Sequence, residues 1–321
     1  LVNHVLITGG AGFIGSHLIK NLLKSNAYHI TCIDNFDPYY DAKIKRDNIS
    51  EFLSHPNFNL VEENIVNLAS LREQLKDVYH VIVHLAAKVG VRPSLEQAQE
   101  YYTVNVQGTQ NMLELAREMG IRQFVFGSSS SVYGINSQVP WSEDNPDFRP
   151  ISPYASTKLS GEMLGHVYSH LYDIRFVALR FFTVYGPRQR PDLAINKFVQ
   201  LLFADQPIPV YGDGSTRRDY TFVEDIVSGI IAAMHYEKTK YEVFNLGNNQ
   251  IVPMHELISL LELLTGHKAV IDHLPEQAGD VRQTFANINK ARQHLNYQPT
   301  NDIKTGLRKY ISWYKQQKKI E

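Results

Sequence analysis

Tyr154 and Lys158 stand four residues apart in SPYASTK, a pair suited to moving a proton on and off an alcohol. A phenol titrating near ~10 is ionised in only about one part in a thousand at neutral pH, so an isolated tyrosine is a poor base. Side chains at i and i+4 share a helix face, and the spacing therefore predicts the Lys158 ammonium beside the Tyr154 phenol, where its charge favours the phenolate. A three-unit shift asks for roughly 4 kcal/mol, within reach of one cation in a partly desolvated site.

A redox step on an alcohol needs a hydride acceptor, and GGAGFIGSHL offers a place for one. It follows the apolar run HVLIT and opens a helical pattern, the context a dinucleotide turn requires. Gly9 allows the tight turn, Gly12 the approach of backbone to a pyrophosphate, and Gly15 close helix–sheet packing, with Phe13 and Ile14 counted in the same site. Asp34 ends the next strand-like run about 20 residues on, where a carboxylate accepts the adenosine ribose hydroxyl and repels a 2′-phosphate. NAD is thus expected over NADP, with Asn35 a second polar contact.

The elements that must position these groups read as alternating strands and helices. HVLIT, HITCID, FNLVEE, VIVHLA, QFVFGS and FVALRF are six buried strands, with helices around FIGSHLIKNLLK and from Val104 to Met119. This predicts an α/β fold with a doubly wound parallel sheet of Rossmann type. From about Gly186 prolines and the turn-rich YGDGSTRRDY break the alternation, indicating a smaller, interleaved C-terminal lobe. Residues 1–182 are assigned to the dinucleotide domain, to which 219–245 returns with a helix around Phe222 to His235 and the strand EVFNLG. Residues 183–218 and 246–321 are assigned to the substrate domain.

The 321 residues carry 32 Lys and Arg against 33 Asp and Glu, a net charge of -1 that leaves no electrostatic footprint for nucleic acid or an anionic membrane. No apolar stretch approaches the ~20 residues that span a bilayer. The single cysteine, Cys32, excludes an internal disulfide. No Cys/His pairs stand at metal-ligand spacing, so no metal is expected. With no signal-peptide pattern at its start, the chain is expected in the cytoplasm.

Taken together, GGAGFIG, FGSSSSVYG and SPYASTK make the chain resemble the extended short-chain dehydrogenase/reductases, specifically their nucleotide-sugar epimerases, over nearly its full length. The resemblance implies Ser129, Tyr154 and Lys158 as the catalytic set, and Leu85, Ala86, Ala87 and Asn105 as cofactor neighbours. It places Asn64, with Ile65, where relatives often use aspartate against adenine. In the implied chemistry Tyr154 takes the proton of a sugar hydroxyl while the hydride leaves for the nicotinamide. Ser129 hydrogen-bonds the oxygen, and Lys158 holds the nicotinamide ribose. A ketone that turns over and takes the hydride on its other face leaves an inverted stereocentre with no net redox change.

RFFTVYGPRQRPD and VGVRPSLE resemble UDP-glucuronate 4-epimerases, with Thr183 where galactose-type enzymes carry asparagine. A carboxylate on C5 beside a C4 ketone is a β-keto acid, so an epimerase must keep its breaking bond out of line with the ketone. Thr183 with Arg92 or Arg190 is expected to hold it; either arginine fits an ordinary ion pair equally well, and Arg190 a phosphate. Arg218, in RRDY, matches the family's diphosphate-binding arginine. Relatives place an arginine before a Gly-Asp pair, whereas Glu276, Gln277 and Ala278 precede Gly279 and Asp280 here, with Arg282 following.

Conversion of UDP-glucuronate to UDP-galacturonate is the leading expectation. UDP-glucose or UDP-N-acetylglucosamine epimerisation, and decarboxylation of UDP-glucuronate, stay open. A 4,6-dehydratase needs an acid where Ser130 and Ser131 stand, and a binding-only relative typically lacks the tyrosine or lysine. The family also implies a homodimer packed through the helix of Val104 to Met119 and the one carrying SPYASTK.

Overall fold

The computed structural model describes all residues except 1, 2, 137, 146, 277, 278, 280 and 321. The strands are β1 (Asn3–Thr8), β2 (Tyr28–Ile33), β3 (Phe58–Val61), β4 (Val81–His84), β5 (Gln123–Ser129), β6 (Arg175–Phe181), β7 (Thr183–Tyr185), β8 (Ile208–Tyr211), β9 (Arg217–Phe222), β10 (Tyr241–Leu246), β11 (Ile251–Pro253) and β12 (Ile271–Leu274). Helices α1 (Phe13–Lys24), α2 (Ala42–Ile49), α3 (Leu68–Gln74), α4 (Val91–Glu96), α5 (Ala98–Tyr102) and α6 (Gly108–Glu118) lie in the first half. The rest are α7 (Pro153–Tyr172), α8 (Ala194–Phe203), α9 (Val223–Met234), α10 (Met254–Thr265), α11 (Asn289–Leu295) and α12 (Ile303–Lys318).

Seven strands form one sheet in the order β10-β6-β5-β4-β1-β2-β3. Every neighbouring pair in it is parallel. Such strands are covered on both faces, which is why they read as continuous apolar runs. One face packs on a cluster holding Leu18, Ile19, Ile226 and Ile230 of α1 and α9, and the other on Leu71, Met112, Leu115 and Tyr168 of α3, α6 and α7. The strand order reverses between β1 and β4, the crevice at which such sheets bind ligands. The seventh strand is EVFNLG: Tyr241 pairs with Phe176 and Leu246 with Phe181.

The remaining strands form a small lobe. β9 lies between β7 (parallel) and β11 (antiparallel), while β8 and β12 make a parallel pair. Its core gathers Phe198, Val199, Leu257, Leu307 and Tyr310 from α8, α10 and α12. The chain passes from large sheet to small between β6 and β7 at Phe182, whose N–H still bonds Leu246 in the large sheet.

The pattern from Val104 to Met119 is not one α-helix. Residues Thr103–Gln107 form a π-turn before α6. There Asn105 donates to the Lys88 carbonyl and Thr157 Oγ1 and accepts from the Lys88 N–H, and Gly108 admits the Ile65 side chain where a Cβ would lie 2.5 Å from its Cδ1. Wide turns of this kind recur where a helix bends to serve a site. Among the described residues no helix is long and apolar enough to cross a membrane.

Candidate active site

A cleft of about 760 Å³ opens along the carboxyl ends of the large sheet and continues into the small lobe. Its first wall is the glycine turn. Gly9 has φ +71°, and a Cβ there would lie 2.7 Å from the Ala86 nitrogen; one on Gly15 would lie 2.4 Å from the Gly9 oxygen. Both positions therefore exclude side chains, while Gly12 caps α1 and lines the cleft with Phe13 and Ile14.

Asp34 closes β2 with its carboxylate fixed by two backbone donors, the Ala11 N–H at 3.0 Å and the Phe36 N–H at 2.9 Å. Burial raises its pKa, against those hydrogen bonds and nearby Lys45. Asn35, Asn64, Ile65, Leu85, Ala86 and Ala87 line the same half of the cleft. The Asn64 amide oxygen accepts the Val66 N–H at 3.1 Å, and Asn111 on α6 holds this loop by the carbonyls of Ile65 and Val66. Asn105 stands behind the wall, bonded to Lys88 and Thr157 rather than lining the cleft. His84 also faces inward. It bridges the Thr8 and Thr109 hydroxyls, and burial lowers its pKa to about 3, so it is a neutral core histidine.

The opposite half holds Ser129, Tyr154 and Lys158. SPY is a helix start: the Ser152 hydroxyl accepts the Ala155 N–H at 3.2 Å and Pro153 occupies the first turn, which puts Tyr154 at the N-terminal mouth of α7. Ser129 ends β5, and its Oγ accepts the Ser131 N–H at 3.2 Å.

Lys158 lines the same cleft as Tyr154. Its Nζ donates to the Gly127 carbonyl at 2.7 Å and lies 5.1 Å from the centre of the Phe126 ring. Burial lowers its pKa to about 7, opposed by Glu162. The Tyr154 phenol is pushed up by burial, while the Ser129 hydroxyl and the Arg190 guanidinium pull it down. Arg190 is the cation felt by Tyr154.

Thr183, the first residue of β7, lines the cleft with Arg92, Arg190 and Arg218. The Arg92 guanidinium stacks on the Tyr211 ring at 4.6 Å. Arg190 makes a two-point pair with Asp192, Nε to Oδ1 at 2.9 Å and Nη2 to Oδ2 at 2.8 Å. Arg218 Nη1 donates to the carbonyls of Arg217 at 2.9 Å and Arg282 at 3.2 Å. Asp280 lies outside the described residues. Among those residues no group of three or more His, Cys, Asp or Glu is placed to hold a metal ion.

Two features escape sequence reasoning. Glu162, one turn beyond Lys158, accepts from Ser128 Oγ at 2.6 Å and from Arg180 Nε and Nη2 at 2.9 and 2.7 Å. Arg180 Nη1 donates to the Tyr133 hydroxyl, which donates to Asn245 Oδ1. This buried network joins the strand ending in Ser129, the helix bearing Tyr154, and β6 and β10. The signal available was a glutamate at i+4 from Lys158 on the same face. The second is Asp192 with Tyr39, which comes from the loop after β2; nothing local in RPD or PYYD announces that they meet.

Comparison with known proteins places this cleft in context. A protein-family model described as GDP-mannose 4,6 dehydratase matches residues 6–310. The UDP-glucuronate 4-epimerase of Thermodesulfobacterium geofontis is 37% identical over 98% of this chain and 97% of its own. A crystal structure of UDP-glucuronic acid 4-epimerase from Bacillus cereus, in complex with UDP-glucuronic acid and NAD, superposes with a TM-score of 0.91 at 40% identity, covering 98% of this chain and 99% of that one. A dTDP-glucose 4,6-dehydratase from Bacillus anthracis, in complex with NAD, superposes at 0.88 with 29% identity over 99% and 98% of the two chains. With a family match across nearly the whole length and relatives at this identity, the chain belongs to the GDP-mannose 4,6-dehydratase family within the extended short-chain dehydrogenase/reductases.

Proposed function

We propose that this protein is an NAD-dependent epimerase that inverts C4 of a UDP-sugar, interconverting UDP-glucuronate and UDP-galacturonate through a 4-keto sugar. The observation that carries the reading is that one cleft holds both the glycine turn with Asp34 and the group of Ser129, Tyr154 and Arg190. The residues fit NAD: Gly9 and Gly15 leave no room for a Cβ, and the Asp34 carboxylate is fixed where a ribose hydroxyl would meet it. When bound, NAD supplies hydride acceptance and return.

The protein's own groups then divide the work. Tyr154 takes the C4 hydroxyl proton and later returns it, helped by Ser129 and Arg190, which favour its ionised form. Ser129 donates to the C4 oxygen as it becomes a carbonyl, and Lys158 holds the nicotinamide ribose. Gly9, Gly12, Phe13, Ile14 and Gly15 cradle the pyrophosphate, with Asn35, Asn64, Ile65, Leu85, Ala86 and Ala87 around the rest of the dinucleotide and Asn105 behind them. Arg218 takes the sugar diphosphate, and Thr183 with Arg190 or Arg92 the C5 carboxylate. In this reading residues 1–182, with 223–246, serve the cofactor and the remainder the sugar nucleotide; the return expected at 219–245 starts at Val223 and ends at Leu246, because β9 (Arg217–Phe222) pairs within the small lobe and Leu246 within the large sheet.

The family's dehydratase chemistry is not favoured. Among the described residues, the carboxylates lining the cleft are Asp34, Asp37, Glu63 and Asp192, and serines occupy the strand end where a dehydratase needs its acid. Along α7, Met163, Val167 and Leu171 recur on one face and are 50%, 46% and 60% exposed, which supports a homodimer through this helix. A single cysteine leaves no internal disulfide, which supports the cytoplasm as the proposed compartment.

Incubation with NAD and UDP-glucuronate, resolved by chromatography and mass, tests the reading. A product of unchanged mass and altered retention supports it. Loss of carbon dioxide transfers the assignment to a decarboxylase, and turnover of UDP-glucose alone to a hexose epimerase.

A further inference from the structure

Arg190 is not presented to the cleft as a bare cation. Asp192 engages it at two points, and the two side chains are 18% and 37% exposed. The Asp192 carboxylate also accepts the Tyr39 hydroxyl at 3.2 Å, a contact between the loop after β2 and the segment after β7. The Tyr39 ring lies 5.8 Å from the Arg190 guanidinium. Asp192 is therefore held against Arg190 by a contact from the loop after β2.

A neutral hexose asks nothing of a cation beside C5. A uronic acid brings a carboxylate whose geometry matches the same Nε and Nη2 edge that Asp192 already occupies. Resting on the reading that Arg190 faces the sugar, we infer that Asp192 is a specificity-determining residue: it competes with the carboxylate of an acidic sugar for Arg190, and so sets how strongly the site prefers UDP-glucuronate over UDP-glucose. Tyr39 is a positioning residue that strengthens the competitor.

Calorimetric titration of the NAD-loaded protein with UDP-glucuronate and UDP-glucose tests this in Asp192→Asn, Tyr39→Phe and Arg190→Met. Asp192→Asn is expected to tighten UDP-glucuronate about fivefold with UDP-glucose unchanged, the size a partly exposed ion pair allows. The gain should shrink as salt is raised. Tyr39→Phe, at a residue on the cleft rim, should move the preference the same way by less, and decides the matter if Asp192→Asn does not fold. Equal shifts for both nucleotides, or unchanged affinity for UDP-glucuronate, overturn the inference. Arg190→Met separates it from the reading beneath: equal weakening of both nucleotides means that Arg190 does not face the sugar, whereas selective weakening of UDP-glucuronate with inert Asp192 and Tyr39 variants removes the role of Asp192 alone.

Discussion

Lys158 Nζ donates to the Gly127 carbonyl oxygen at 2.7 Å, two residues before Ser129 on the same strand. The lysine thereby ties the helix that presents Tyr154 to the strand that presents Ser129. Burial lowers its pKa to about 7, and Glu162 opposes that shift. The tyrosine meanwhile takes its electrostatic help from Arg190, across the cleft.

If Tyr154 is the base, Tyr154→Phe should lower turnover by roughly 10²- to 10⁴-fold while leaving dinucleotide binding intact, since the phenyl ring keeps its contact with Tyr101. Steady-state kinetics beside a fluorescence titration with NAD checks both halves. Retained turnover would move the base elsewhere.

The Glu162–Arg180 pair is buried on both sides, at 0% and 3% exposure. Glu162→Gln leaves a guanidinium charge stranded and should destabilise the fold by roughly 3 to 5 kcal/mol, whereas replacing both residues by methionine should recover much of that loss. Denaturant melts of Glu162→Met, Arg180→Met and the double variant measure the coupling, which should be strongly non-additive.

His17 on α1 donates from Nε2 to the Pro187 carbonyl at 2.8 Å, pinning the segment that carries Arg190. Burial, and then Arg188, lower its pKa to about 4, from about 6.5 in an unfolded chain. Between those values the unfolded chain binds more protons, so the stability tied to neutral His17 is whole above about pH 6.5 and falls away by about pH 4, by up to about 3 kcal/mol. Thermal melts across that window should show a shallower acid decline in His17→Gln than in the unsubstituted protein.

Much of this arrangement is written locally. The glycine turn, the apolar strand runs and the Ser152-Pro153 start of α7 each declare themselves within a few residues, because caps, turns and periodicity are short-range physics. What stays hidden is long-range pairing. Tyr39 and Asp192 are 153 positions apart and meet only because the β2 and β7 loops open onto one crevice. Glu162 and Arg180 are 18 apart, and each alone reads as an ordinary charged residue. The bend at Asn105 is equally silent, since its cause is a side chain bonding to Lys88 and Thr157 rather than a break in the apolar pattern.

In the proposed reaction C4 is oxidised and then reduced with its own hydrogen. UDP-glucuronate carrying deuterium at C4, incubated with the protein and NAD in ordinary water, tests it directly by mass spectrometry and proton resonance of the products. The expected result is a C4 epimer that keeps its deuterium at C4, because a hydride does not exchange with solvent. An epimer whose label has washed into water would contradict the account, for the carbon would then have lost a proton and not a hydride.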